Sequence, residues 1–350
     1  MQTKSRNSNI ELLRVVLMTI LVCYHVTVHG YDLGDIGSAG AVYRQNLPLS
    51  LALCCLGTPA VTTFVFISGY FGLHFSWRKF ADLLLGCLIV SVGGTLYLHS
   101  QGGNTMMDVW RSFFPVTLGV KAGVWWFMTA YIVLYMLSPF LNAGVSHLGK
   151  TQLRNLVLLF VVMTWASMLV FRKSAGSTWG GVVAIYLVAR YMRFYCQLSM
   201  KKAVRVLVIS VLLMECGMFI LLAVVRGIGR PKLYEMLFCY LGISNPCVIF
   251  IAIGLFFTIY RLPAWSNHIV NQLASGSLYI YLITEILGTR HFYEPIAHAL
   301  DASTWQGCGL ILLAVVATLI AGDVIHAAVH LLTGWATAGL NRLHQVPAQQ

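Results

Sequence analysis

Arg14 and His25 lie eleven residues apart in "RVVLMTILVCYH". On an α-helix that separation is three turns plus roughly 20°. The two side chains then point the same way, about 16 Å apart along the axis. His29 falls on nearly the same stripe. Arginine is a permanent cation whose planar fork suits phosphate and carboxylate. Imidazole titrates near neutrality and can take the proton from a hydroxyl, which is a poor nucleophile until it loses it. One helix face would thus carry an anion-holding group at one end and a general base at the other. Two plainer readings stand beside this one. Arg14 reaches the headgroups or pairs with Glu11, and His25 is a polar contact between helices.

The element that must position them is a membrane span. Of 350 residues, 58% are apolar and 10% charged, and the mean hydropathy is +0.78. A soluble domain of this length cannot hide that much apolar surface, so the chain reads as a polytopic membrane protein. A spanning helix needs about 20 mostly apolar residues. About ten segments qualify, at roughly 10–30, 51–72, 80–99, 124–141, 153–171, 179–197, 203–225, 236–259, 272–290 and 307–334. The expected fold is all-α, one bundle of about ten transmembrane helices, with residues 1–350 as a single domain. Loops are expected at "RGIGRPK" (226–232) and "GTRHFYEPIAHALDASTWQG" (288–307).

Ten spans place both termini on one side. With the N-terminus cytoplasmic, the inner segments hold Lys4, Arg6, Arg78, Lys79, Lys150, Arg154, Arg261, Arg342 and the cluster from Arg190 to Arg205. The outer segments hold fewer cations, among them Arg44, Lys121, Arg172, Lys173, Arg230, Lys232 and Arg290, a weak bias in the expected direction. The net charge of +12 is dispersed between apolar spans. It reads as topology signal and lipid-headgroup contact rather than a nucleic-acid surface. Nine cysteines form no CxxC pair and most fall inside spans, where they act as small apolar residues. Lys4 and Arg6 ahead of an apolar run, with "AGA" at 39–41, outline a signal peptide. The "AGA" lies too far past the run, and Arg14 and His25 interrupt it, so the first span is expected to be kept.

Several motifs resemble one family. Arg14, ten residues, then His25 resembles the signature of integral-membrane acyltransferase family three, and "NSNIELLR" before it is similar to members acting on surface polysaccharides. "TTFVFISGYF" (62–71), "VWWFMTAYIVLYMLSPFLN" (124–142), "SNP" (244–246) and "SLYIYLITE" (277–285) resemble further family motifs, in the family's order. The family often has a histidine where this chain has Thr284, and Glu285 is the nearest ionisable residue. The resemblance implies an O-acyltransferase. It would move an acyl group, acetyl by expectation, from cytoplasmic acetyl-CoA to a hydroxyl of a surface glycan or its lipid-linked precursor. It also implies the bacterial cytoplasmic membrane, with both termini cytoplasmic.

The residues fit that expectation. A phosphate-bearing donor needs cations at the inner surface, where Arg14, Arg78 and Lys79 are available. Glu285 lies about five residues from the outer end of the ninth span, and His25 about five from the outer end of the first. At matched depth the carboxylate can orient the imidazole. Tyr281, one turn earlier on the same face, can donate to a thioester oxygen or simply pack. Trp125 and Trp126 are most simply an aromatic belt, with stacking against the acceptor as the sharper alternative. Asp323, His326 and His330 share a face at metal-ligand spacing, but such residues also bond between helices, and no metal is expected. Two rival functions remain at this point. One is a transporter or flippase using Arg14, His25 and Glu285 as a relay. The other is a membrane glycan polymerase that uses no coenzyme A.

Overall fold

The computed structural model describes residues 7–31, 47–103, 105–114, 125–171, 179–229, 233–286 and 292–343. Lys4, Arg6, the "AGA" stretch and the loop cations Arg44, Lys121, Arg172, Lys173, Arg230, Lys232 and Arg290 lie outside the described residues. Helices make up 86% of what is described, and no strand occurs among the described residues. The chain runs through α1 (Ser8–Gly30), α2 (Leu47–Phe71), α3 (Trp77–Ser100), α4 (Met106–Ser112), α5 (Trp126–His147), α6 (Lys150–Phe171) and α7 (Trp179–Tyr195). It continues through α8 (Met200–Ile228), α9 (Glu235–Tyr240), α10 (Pro246–Tyr260), α11 (His268–Ser275), α12 (Ser277–Thr284), α13 (Glu294–Ala302) and α14 (Thr304–Leu343).

This is a multi-pass helical membrane protein. Six helices among the described residues are long and apolar enough to cross a bilayer: α1, α2, α3, α5, α8 and the Thr304–Gly334 part of α14. The expected count of about ten is therefore not reached on length and composition. Two expected spans turn out to be divided. "SNP" breaks the expected 236–259 span, because Asn245 caps α10, its Oδ1 accepting from Cys247 N at 2.9 Å, with Pro246 in the first turn. Its Nδ2 also donates to Tyr240 O at 2.7 Å, tying α9 to the cap. The expected 272–290 span is interrupted at Gly276 into α11 and α12. The loop expected at 288–307 contains α13, while 287–291 lies outside the described residues.

α1 is the axis of the bundle. It packs against α2, α10, α11, α12, α13 and α14. Its N-terminal "NSN" is a latch. Asn7 Oδ1 accepts from Asn9 N at 3.1 Å, starting the helix. Asn9 Nδ2 donates to Leu262 O (2.9 Å) and Pro263 O (3.2 Å), and Ser8 N donates to Trp265 O (2.8 Å). Ser8 Oγ donates to Asn271 Oδ1 at 2.8 Å and accepts from Asn267 N at 2.8 Å. Buried Ser8 and Asn9 thus find partners in α11 and the segment leading into it, which fixes α1 against α11 and α12.

Close helix crossings depend on missing side chains. A Cβ on Gly276 would stand 3.0 Å from Asp323 N, and one on Gly322 would strike Ile280, so α12 and α14 touch through glycine. Pro139 inside α5 leaves Tyr135 O without its helical donor, and Ser138 Oγ fills that place at 2.7 Å.

Candidate functional site

α1 presents Arg14, Met18, Leu21, His25 and His29 along the faces turned to α2, α12 and α13. The carboxylate of Glu285, at the residue ending α12, meets two of them. His29 Nε2 is 2.7 Å from Glu285 Oε1, and His25 Nε2 is 3.0 Å from the same oxygen. The side chains of His25 and Glu285 are each 5% exposed, and that of His29 12%. Water is thus largely excluded, and charge interactions there are stronger than at a surface.

The other edge of the His25 ring is also held. Its Nδ1 lies 2.9 Å from Thr284 Oγ1. Thr284 Oγ1 in turn reaches Ile280 O (3.0 Å) and Tyr281 O (2.9 Å). The ring is therefore fixed from both sides by consecutive residues, Thr284 and Glu285. The threonine at this position is a direct partner of the imidazole. With Glu285 ionised, its carboxylate only accepts, and His29 donates from Nε2. His29 also stacks on Tyr293 with rings 6.2 Å apart, and Tyr293 OH donates to Thr284 O at 3.3 Å.

A cavity of about 380 Å³ leads toward this cluster. Arg14 lies on its wall, with Leu21 and Ser68 along its length and Phe127 and Tyr281 at the histidine end. The Tyr281 ring is 6.2 Å from His25 and 5.5 Å from Phe127. Ala274, Ser275 and Ser277 line it at the α11–α12 break, where small residues leave the space open. Arg14 Nη1 pairs with Glu11 Oε2 at 3.2 Å, so the plainer reading of this arginine holds together with its place on the cavity wall.

The structure thus brings together His25, Glu285 and Tyr281, and places Arg14 at the other end of the same cavity. It does not bring Arg78 and Lys79 there. Both are exposed in the first turn of α3, and Leu83, one turn on, lines the cavity instead. Trp125 is no interfacial belt residue. It is 1% exposed, and its Nε1 donates to Leu282 O at 3.1 Å, anchoring α5 to α12. Trp126 is half-buried beside Phe127.

Among the described residues, His25, His29 and Glu285 form the one group able to hold a metal, their ligand atoms lying within 4.8 Å of one another. Tetrahedral ligands about 2.1 Å from zinc stand roughly 3.4 Å apart. The 2.7 and 3.0 Å spacings here are those of shared protons. Asp323 is engaged elsewhere, accepting from Gln272 Nε2 at 2.8 Å, and His326 packs against Tyr279.

His29, which the sequence places on the stripe of Arg14 and His25 without a role, is a site residue in the structure. Its position one turn after His25 was the available signal, but its partner lies 256 residues away in sequence. Residues 7–327 match a family model described as an acyltransferase domain, the third acyltransferase family of that series. No curated protein and no solved structure matches the chain.

Proposed function

The chain belongs to acyltransferase family three, and from that premise we propose that it O-acylates a glycan, with acetyl-CoA as donor. The acceptor is a surface glycan or its lipid-linked precursor, and the membrane is the bacterial cytoplasmic membrane with both termini inside. The observation that carries this reading is the cavity joining Arg14 to the ring of Tyr281 beside His25. Its ends match the two demands of the reaction, a cation on the side from which the charged donor enters and a base toward the acceptor's hydroxyl.

His25 removes the proton of the acceptor hydroxyl. The oxygen attacks the thioester carbonyl carbon, the C–S bond breaks, and the thiolate leaves with the proton returned by His25. Glu285, 3.0 Å from His25 Nε2, balances the positive charge the ring gains in between. For the hydroxyl to reach Nε2, the Glu285 contact must loosen and the ring must keep its one proton on Nδ1, donated to Thr284 Oγ1, so that Nε2 is free to accept. His29 at 2.7 Å keeps the carboxylate partnered while it does. Tyr281 on the cavity wall is the group placed to face the carbonyl oxygen.

The relay of a transporter would use the same residues but break no thioester. Purified protein is therefore incubated with acetyl-CoA, with and without a glycan acceptor, and free thiol is measured. Thiol release that depends on His25 is expected. Its absence in the wild type, with the protein folded, sinks the acyltransfer chemistry from coenzyme A.

A further inference from the structure

A second cavity of about 450 Å³ opens at the junction of α2 and α3, beside Asn142 of α5 and Arg190 of α7. It follows the first along the same seam. Phe64, Ile67 and Ser68 of α2 line the first cavity, and Phe71 and Gly72 the second. On α5, Phe127, Met128 and Tyr131 give way to Pro139 and Asn142. From Phe127 to Asn142 the seam rises roughly 22 Å at helical pitch.

The wall of the second cavity is built. Leu73 N donates to Tyr186 OH (3.2 Å), and Asn142 Nδ2 donates to Leu73 O (2.7 Å). Tyr186 OH donates to Asn142 Oδ1 at 2.7 Å. Ser76 N donates to Tyr135 OH (3.0 Å), which donates to His74 O (3.2 Å). Gly72 turns the chain at φ +81, and a Cβ there would stand 2.9 Å from Arg190 Nη1. The positive φ is one that glycine adopts freely, and it lays the segment against the guanidinium.

Arg190 differs from the cations near it. Arg193 lies over the Tyr70 ring at 5.1 Å, and Arg261 donates to Leu198 O (3.1 Å) and Gln197 Oε1 (3.0 Å). Among the described residues Arg190 makes one long bond, from Nη1 to Gly69 O at 3.4 Å, and it stacks on Phe194 at 4.6 Å. Its Nε is buried with no hydrogen-bond partner among the described residues. A buried charged donor without an acceptor costs free energy that an anion would restore. Among the described residues no carboxylate lines the cavity, and His74 adds a second potential cation.

We propose that this cavity binds the phosphate groups of the acyl donor's nucleotide end, with Arg190 as the principal contact and His74 as the second. The proposal rests on coenzyme A being the donor. It moves phosphate recognition from Arg78 and Lys79, which stand exposed on the next helix, to the pinned rim around Arg190. Aromatic Phe71 and Phe75 on the same wall offer faces to a purine base, which favours a nucleotide over a lipid headgroup. From there the donor's arm follows α2 and α5 toward Arg14 and on to Tyr281.

The test uses purified full-length protein with two probes, coenzyme A and S-acetylpantetheine, which lacks every phosphate. Arg190→Gln is expected to raise the Kd for coenzyme A about 10- to 100-fold, the usual span for losing a charge-assisted hydrogen bond. Affinity for S-acetylpantetheine should stay unchanged, which also shows that the variant is folded. Arg190→Lys should recover part of the loss, and His74→Gln should cost less than Arg190→Gln. In steady state, Arg190→Gln should raise KM for acetyl-CoA and leave kcat near wild type, as loss of uniform binding does. If the wild type binds coenzyme A and Arg190→Gln binds it within two-fold, this site is refuted while the donor reading stands. If the wild type binds no coenzyme A, the donor reading falls and the site falls with it. If Arg190→Gln loses phosphatidylglycerol carried from mixed vesicles but keeps its coenzyme A affinity, the cavity is a lipid-headgroup site and the proposal is overturned.

Discussion

A carboxylate with two imidazoles on one oxygen is an arrangement whose members act together. Glu285 Oε1 lies 3.0 Å from His25 and 2.7 Å from His29. His25→Ala should abolish transfer, since a positioned base contributes about 10²–10⁴ in rate. Retention of activity within a few-fold would remove His25 from the chemistry. Glu285→Gln should lower kcat without changing donor affinity. Added to His25→Ala it should cost little more, because residues working as a unit are non-additive. Multiplied losses in the double variant would show separate roles. Thr284→Val removes the hydroxyl 2.9 Å from His25 Nδ1 and should lower kcat by a few-fold to about tenfold at unchanged KM. Arg14, His25 and Glu285 were legible in the sequence, because ionisable residues in an apolar span have few innocent uses. His29 and the His25–Thr284 contact were not, because each is made by residues some 250 positions apart, which spacing along one helix does not reveal.

At the scale of the element, the site depends on how α1 is set against the divided helix α11–α12. The latch of Asn7, Ser8 and Asn9 fixes that relation one end of α1 away from the chemistry. Asn9→Ala removes two bonds made by a buried amide and should destabilise the protein by about 1–3 kcal/mol. A fall in Tm in detergent together with a lower kcat is expected, because α1 carries His25. An unchanged Tm would mean that other contacts hold α1 in place. Gly322→Leu would force α14 away from Ile280 and should disturb the Tyr281 wall of the cavity. Hydropathy located these segments well, but it is blind to breaks. Gly276 and Pro246 interrupt runs that remain apolar on both sides, so the sequence reading joined α11 to α12 and α9 to α10. The buried Trp125 was misplaced for a related reason. A tryptophan near a span end is as apolar in a core as at an interface, and only its bond to Leu282 O distinguishes the two.

At the scale of the molecule, the two cavities give the bundle a direction. Phe71, Gly72 and Arg190 mark one end, and His25, His29 and Tyr293 the other. Native cysteines report on that direction. Cys196 follows α7 on the Arg190 side, and Cys308 is exposed near the start of α14, beside α13. In sealed vesicles with the native orientation, a membrane-impermeant maleimide should label Cys308, and inverted vesicles should label Cys196. Reversed labelling would place the Arg190 cavity outside and contradict a cytoplasmic donor.

The wall of the first cavity carries one more consequence. Met18, Leu21, Val61, Phe64, Leu83 and Leu278 make it mostly apolar, while Arg14 and the serines give it a few fixed polar points. Filling such a space removes apolar surface from solvent, and the heat capacity of the system falls as it does. Titration calorimetry of the donor at several temperatures should therefore give an enthalpy that becomes steadily more exothermic on warming. Narrowing the chamber with Leu278→Trp should flatten that slope. Arg190→Gln, which touches no part of this wall, should leave the slope as it was while weakening the affinity.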